Sequence, residues 1–253
     1  MTTVIVSDTG AACDSLWTFD DGVHTVSDIN KYLFVSGYVI EDYKPDPFIV
    51  FYSGTYNQIV LHQALMLELI DPEGYMSIAK WLSSKGESRL QYIKIDINDW
   101  RVDIYNTDSK NGVHYAGSGG QLAANHYPSC YDVKSCVEFA IINDSFSGPE
   151  VSLFNKGGAR QDNIFELSSH MYDTLYNKTN GLMQDYRGDI DMSNQIKQTA
   201  PDGKEIDHDT LEAAISRDIN NMKKNQNVST LWISIKNAKK KENIIKRKKK
   251  ITA

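Results

Sequence analysis

Thr2 carries a hydroxyl, and removal of Met1 would give it a free α-amine as well. Those two groups on one residue can serve as nucleophile and base. The amine's reference pKa of about 7.7 to 8.0 lies near working pH, so it can take the hydroxyl proton directly or through a water. With Met1 attached, that nitrogen is a peptide amide and the base is lost. Amide hydrolysis also needs donors aimed at the developing oxyanion and groups that hold the amine. Four patches downstream carry suitable side chains: Ala12-Cys13-Asp14-Ser15, Asn30-Lys31, Gly117-Ser118-Gly119-Gly120 and Asn143-Asp144-Ser145-Phe146-Ser147-Gly148. Each has a plainer reading alone. A lysine that begins a strand is usually a solvated edge residue. A glycine-rich turn before a helix is a helix start or an anion nest, and this one lacks the Gly-Lys-Ser/Thr of a phosphate loop. Asp, Ser and Gly together commonly make a helix C-terminal turn.

Composition narrows the class. The 253 residues suffice for one large domain, or for a core with an appendage, and 41% are hydrophobic against 24% charged. No apolar run approaches the roughly 18 to 20 residues of a membrane span, and the first residues lack a signal peptide's basic start and apolar stretch. Cys13, Cys130 and Cys136 show neither CxxC spacing nor an even count, which points to a reduced compartment and a cytoplasmic protein. Six histidines, among them His62, His114 and His126, form no metal-ligand pattern, so neither metal nor cofactor is expected. The net charge is −6, yet Lys236 to Lys250 is densely basic, so the rest of the chain is more acidic than the total implies.

The elements that must position these residues follow from patterning. Strands are expected at residues 3–7, 11–15, 31–35, 48–53, 90–95, 100–105, 113–116 and 151–154. A proline-bearing loop fills 41–47. Helices are expected at 55–70, with Ile59, Leu61, Ala64, Leu65 and Leu69 as the apolar face, at 76–84, after Gly119, and at 132–142. Strands, a helix pair, strands, a helix pair and a strand suit antiparallel sheets stacked between helical layers. From about residue 166 the chain turns rich in Asn, Asp and Lys, with breakers at Gly181, Gly188, Pro201 and Gly203. One helix stands out there, capped by Asp209 with Glu212 and bearing Leu211, Ile215, Ile219 and Met222 on one face.

The order of the motifs, Met-Thr-Thr-Val-Ile-Val, the Asp14 patch, Asn30-Lys31, Gly117-Ser118-Gly119-Gly120 and Asp144-x-x-Ser147-Gly148, resembles the proteasome β-subunits and the bacterial HslV peptidase. Both are N-terminal-nucleophile hydrolases. The resemblance spans roughly residues 2 to 165 and leaves the last third unmatched. It implies an α+β fold, the four-layer αββα sandwich, over 1–165; composition and patterning, not the resemblance, give a partly helical extension at 166–235 and a flexible basic tail at 236–253. It implies a threonine endopeptidase in which Thr2 attacks, Lys31 lowers the amine's pKa and Asp14 holds Lys31. Ser118 would bond the amine, and Asp144 and Ser147 would close the network. Gly54 matches the oxyanion glycine, Thr18 the residue that binds substrate backbone, and Tyr52 the side-chain pocket. Lys44 competes with Lys31 for the lysine's role. Leu16, Trp17, Tyr52 and Pro149 depart from the family pattern, and Trp17 should narrow or reshape the substrate groove.

The implied partners are a peptide or unfolded protein substrate, further copies of the chain in a homo-oligomeric ring, and a separate unfolding ATPase, since the chain has no Walker motif. No membrane partner is implied. The basic tail could bind an acidic partner, although a solvated tail is its plainer reading. A catalytically inactive proteasome-like scaffold is the alternative, motivated by Trp17, Tyr52 and the long C-terminal region. A small-molecule amidohydrolase on the same scaffold is a third.

Overall fold

The computed structural model describes residues 2–18, 24–25, 27–36, 46–157 and 161–199. Strands β1 (Val4–Val6) and β2 (Gly10–Asp14) form a hairpin with Val4 opposite Cys13 and Val6 opposite Ala11. The Ser7 hydroxyl accepts from the amides of Thr9 and Gly10 and closes the turn. The hairpin sits at the middle of a six-stranded antiparallel sheet completed by β9 (Asp108–Lys110), β10 (Val113–Ala116), β11 (Val151–Asn155) and β12 (Gln161–Asp162), in the order β12-β11-β2-β1-β10-β9. A four-stranded antiparallel sheet is ordered β5 (Tyr32–Val35), β6 (Phe48–Gly54), β7 (Leu90–Asp96) and β8 (Arg101–Tyr105). A short ribbon pairs β3 (Trp17–Thr18) with β4 (His24–Thr25).

Alternation along the central strands sorts the core into three clusters. Val4, Val6, Ala11, Cys13, Ile49, Phe51, Ile93 and Ile95 meet in one cluster drawn from both sheets. Ile5, Ala12 and Leu153 face the other way and pack on α3 (Gly120–Cys130) and α4 (Val133–Asn143) through Ala123, Ala124, Val137 and Ala140. Leu33, Val50 and Tyr52, on the far side of the second sheet, meet α1 (Tyr56–Met66), α2 (Pro72–Ser84) and α5 (Ser169–Thr199). The protein is thus a mixed α+β fold with antiparallel sheets. Central strands buried on both faces explain why residues such as Val4, Ile5 and Val6 read as a continuous apolar run.

Several elements differ from the sequence expectation. Helix α2 begins at Pro72 rather than Met76, because Asp71 caps it by accepting from the Gly74 amide (2.7 Å) and proline is tolerated in a helix's first turn. Helix α1 ends at Met66, short of Leu69, and is buried on every side from Gln58 to Leu65. It therefore has no single apolar face, and its interior polar groups are bonded: Gln58 Nε2 donates to the Ala79 and Glu87 carbonyls and Gln63 Nε2 to the Asn30 carbonyl. Strand β9 lay outside the expectation because its three residues, Asp-Ser-Lys, are all exposed. Helix α5 runs straight through Gly181 and Gly188. A glycine weakens a helix by about 1 kcal/mol without breaking it, and Met171, Leu175 and Leu182 anchor this helix in the α1 and α2 cluster. The helix expected at 209–222, Pro201, Gly203, the basic tail, Lys44 and most of the 41–47 loop lie outside the described residues.

Candidate active site

Asp14 ends β2 and is 1% exposed. Its Oδ1 accepts from the Thr3 amide (2.7 Å) and from Lys31 Nζ (3.4 Å). Its Oδ2 accepts from the amides of Gly148 (3.0 Å) and Leu16 (3.2 Å). Lys31 immediately precedes β5, is 3% exposed, and also donates to the Leu16 carbonyl. Burial pushes the Lys31 ammonium below its ordinary range, with Asp14 opposing the shift. Burial likewise pushes the Asp14 carboxyl upward, against Lys31 and the three amides. A lysine held this way can act on a neighbour as a charge with little water to screen it.

A second half of the site hangs on the ends of α3 and α4. Asp144 follows the last residue of α4. Its Oδ2 accepts from Ser118 Oγ (2.9 Å) and Ser147 Oγ (2.8 Å). Thr3 Oγ1 lies 2.6 Å from Ser147 Oγ. With the single Ser147 proton directed at Asp144, the Thr3 hydroxyl is the donor to Ser147. The two halves thus join through Thr3, and also through Ser147-Gly148, whose adjacent residues bond Asp144 and Asp14. An unbroken path runs Lys31, Asp14, Thr3, Ser147, Asp144, Ser118.

Glycines let the backbone close over this path. At Gly117 the backbone takes φ +82°, and a Cβ there would sit 1.8 Å from the Thr2 carbonyl oxygen and 2.9 Å from Ser53 Oγ. The loop therefore lies directly on Thr2, which is 1% exposed. A Cβ on Gly119 would sit 1.9 Å from Thr3 Oγ1 and 2.6 Å from Ser147 Oγ. Gly54 closes β6 at φ +139°, with the Arg89 carbonyl 2.2 Å from any Cβ it might carry. Ser53 beside it reaches the Gly117 loop, so the end of β6 and the start of β1 converge on Thr2.

Of the residues singled out from sequence, Asp14, Lys31, Ser118, Asp144 and Ser147 lie on the bonded path. Thr2 and Gly54 flank the Gly117 turn. Thr18 lies in β3, paired with His24. Tyr52 points to the other side of its sheet: it is fully buried, its hydroxyl shares a hydrogen bond with His62 Nδ1 (3.2 Å), and its ring centroid lies 5.5 Å from that of His62. Burial drives the His62 pKa down to about 3, so this imidazole is neutral. Trp17 is also buried; its Nε1 donates to the Ile29 carbonyl (3.0 Å) and its ring meets Tyr56 edge-on at 5.0 Å. Lys31 Nζ lies 5.4 Å from the centre of the Trp17 ring. Among the described residues, a small cavity of about 40 Å³ lies beside Asp14, Trp17, Lys31 and Tyr32.

Thr3 escaped the sequence reading, although it is the junction of the network. The signal was period-two alternation: Thr3 stands two residues before Ile5, whose side chain packs on the α3 and α4 side. Among the described residues no group of three or more His, Cys, Asp or Glu could hold a metal ion, and no helix is long and apolar enough to cross a membrane.

Comparison with known proteins finds no matching family model and no matching curated protein. Solved structures similar to this chain include Thiobacillus denitrificans BPH in complex with epoxomicin, at 15% identity and TM-score 0.40, over 63% of this chain and 99% of that one. Anbu, titled an ancestral β-subunit, from Yersinia bercovieri aligns at 11% identity and TM-score 0.41, over 81% of this chain and 100% of that one. The helical assembly of the Anbu complex from Pseudomonas aeruginosa aligns at 7% identity and TM-score 0.41, over 81% and 98%.

Proposed function

We propose that the protein is a threonine peptidase of the N-terminal-nucleophile type, related to proteasome β-subunits and HslV and built on their four-layer αββα sandwich. The observation that carries this reading is the bonded path from Lys31 through Asp14, Thr3, Ser147 and Asp144 to Ser118, folded around the backbone of Thr2. In this mechanism, loss of Met1 frees the Thr2 amine. The amine takes the hydroxyl proton while Oγ1 attacks the scissile carbonyl. Lys31, a positive charge in a dry setting, keeps the amine unprotonated. Asp14 holds Lys31, and Ser118, Asp144 and Ser147 orient the amine. The Gly54 amide stabilises the oxyanion, and Thr18 binds substrate backbone. The protonated amine then protonates the leaving nitrogen, and water cleaves the resulting ester by the reverse path.

This role carries the family's setting with it: a cytoplasmic homo-oligomeric ring, peptide or unfolded protein as substrate, and a separate unfolding ATPase. An inactive scaffold is the second reading. What favours it is the buried Trp17 beside Lys31, the small neighbouring cavity and the burial of Thr2.

Intact mass after incubation with a peptide epoxyketone separates the two, since that group reacts with both the hydroxyl and the free amine of an N-terminal threonine. A Met1-free chain carrying one inhibitor, lost in Thr2→Ala, is the expected result. A Met1-free chain that hydrolyses no peptide and takes no inhibitor would leave the scaffold reading standing.

A further inference from the structure

Cys130 is the last residue of α3, and Cys136 lies in the first turn of α4. Five residues separate them in sequence, and the left-handed Tyr131 (φ 52°) together with the Asp132 cap folds the chain back sharply between the helices. The two Sγ atoms come within 3.3 Å. Both are free thiols; Cys130 is partly exposed and Cys136 fully buried. From these observations we propose that Cys130 and Cys136 are a reversible redox pair, a modification site that closes into a disulfide across the α3–α4 turn. The proposal is independent of the peptidase reading.

The partner reactant is a low-molecular-weight disulfide. Cys130 is the entry point because it alone of the two reaches solvent. Its thiolate attacks one sulfur of the small disulfide, forming a mixed disulfide and expelling one small thiolate. The Cys136 thiolate then attacks Cys130 Sγ, forming the internal bond and expelling the second. The two protons given up by the cysteines end on the two small thiols, so two protein thiols are oxidised and one small disulfide is reduced. Carbonyls of His126, Tyr127 and Asp132 lie 3.5 to 3.9 Å from Cys130 Sγ, and burial and the neighbouring sulfur push the Cys136 thiol upward. The raised Cys136 thiol slows the second attack, and the 3.3 Å approach of the two sulfurs is what favours closure. Cys13 stays out of the exchange because it is fully enclosed between the sheets.

The location gives the bond a consequence. The α3–α4 hairpin is closed at the cysteine end, and its other end carries Gly119, Ser118 and Asp144. A covalent tie at the turn therefore restrains the two helices whose far ends meet in the Ser118 to Asp144 bond.

The test uses the full chain in glutathione buffers of rising oxidised fraction, with the remaining thiols blocked by unfolding the protein directly in denaturant that contains N-ethylmaleimide. Trypsin cuts after Lys134, between the two cysteines, so an oxidised protein yields peptides 111–134 and 135–156 joined by one disulfide. The expected result is that the linked pair appears, both thiols vanish together, Cys13 remains fully labelled, and reductant reverses the change. Amide exchange in the last turn of α3 and the first turn of α4 should slow in the oxidised form. Cys136→Ser should instead retain glutathione on Cys130. Independent loss of the two thiols, or glutathione persisting on wild-type Cys130 with no linked peptides, would overturn the pair. Unchanged exchange would overturn the restraint.

Discussion

Replacing Lys31 by Met tests whether Asp14 is held as a buried ion. The substitution keeps much of the aliphatic stem and removes the ammonium 3.4 Å from Asp14 Oδ1. Losing one partner of a buried pair costs about 3 to 5 kcal/mol when the other charge has no escape. Here the carboxyl has one, because it can take a proton. Holding a carboxyl protonated at pH 7 against an ordinary pKa near 3.9 costs about 4 kcal/mol, at 1.36 kcal/mol per unit, and that sets a ceiling. The three amides at 2.7, 3.0 and 3.2 Å remain and favour the ionised form, so the loss should be about 2 to 4 kcal/mol at pH 7. The pH dependence is diagnostic. In the variant the folded Asp14 pKa stands above its unfolded value, so the folded state binds a proton more readily and gains stability as pH falls. In the wild type Lys31 opposes the upward shift of the Asp14 carboxyl, so the variant should depend on pH more steeply. Urea unfolding followed by tryptophan fluorescence at pH 7 and pH 5 should show the penalty shrink by about 1 to 3 kcal/mol. Asp14→Asn combined with Lys31→Met should recover part of the loss and flatten the pH dependence. A penalty that is constant with pH, or a double variant no better than the sum of the singles, would refute a buried ion pair.

Three further outcomes follow from the packing and the charges. Gly119→Ala drives a methyl into Thr3 Oγ1 and Ser147 Oγ, so it should cost about 1 to 3 kcal/mol in denaturant melts; adding Thr3→Ala makes room, and strictly additive losses would contradict the geometry. His62 is neutral when folded, with a pKa of about 3 against 6.5 when unfolded. Its contribution is complete above pH 6.5 and falls toward pH 3 by up to about 1.4 kcal/mol per unit, because the unfolded state binds the proton; His62→Phe should lose that slope, and equal slopes would rule the assignment out. Leu175, fully buried where α5 meets α1, should cost about 2 to 5 kcal/mol when cut to Ala, and a loss under 1 kcal/mol would mean that α5 is not part of the core.

The central strands were legible because their side chains alternate between two apolar interiors, so Val4 to Val6 and Phe48 to Tyr52 carry β-branched and aromatic residues without interruption. Helices α3 and α4 were legible from Gly119, Asp132 and the residues between. Exposed β9 left no mark, since three polar residues match a loop as well as a strand, and the unbroken course of α5 through Gly181 and Gly188 was hidden because packing on α1 and α2 counters those glycines. At the site, Asp14, Lys31, Ser118, Asp144 and Ser147 were selected by the order of their motifs and the family which that order resembles, because each residue alone has a plainer reading. Which groups touch depends on contacts spanning more than a hundred residues, such as Thr3 with Ser147 and Asp14 with Gly148. Tyr52 turned toward His62 and Cys130 beside Cys136 are close in sequence, yet they too depend on packing, because neither spacing carries a motif. Local sequence determined the strands, the caps and the supply of reactive groups. Only the stacking of the two sheets, with the glycine turns closing over Thr2, decided which of those groups share one dry network, because proximity in that interior is a property of the whole chain.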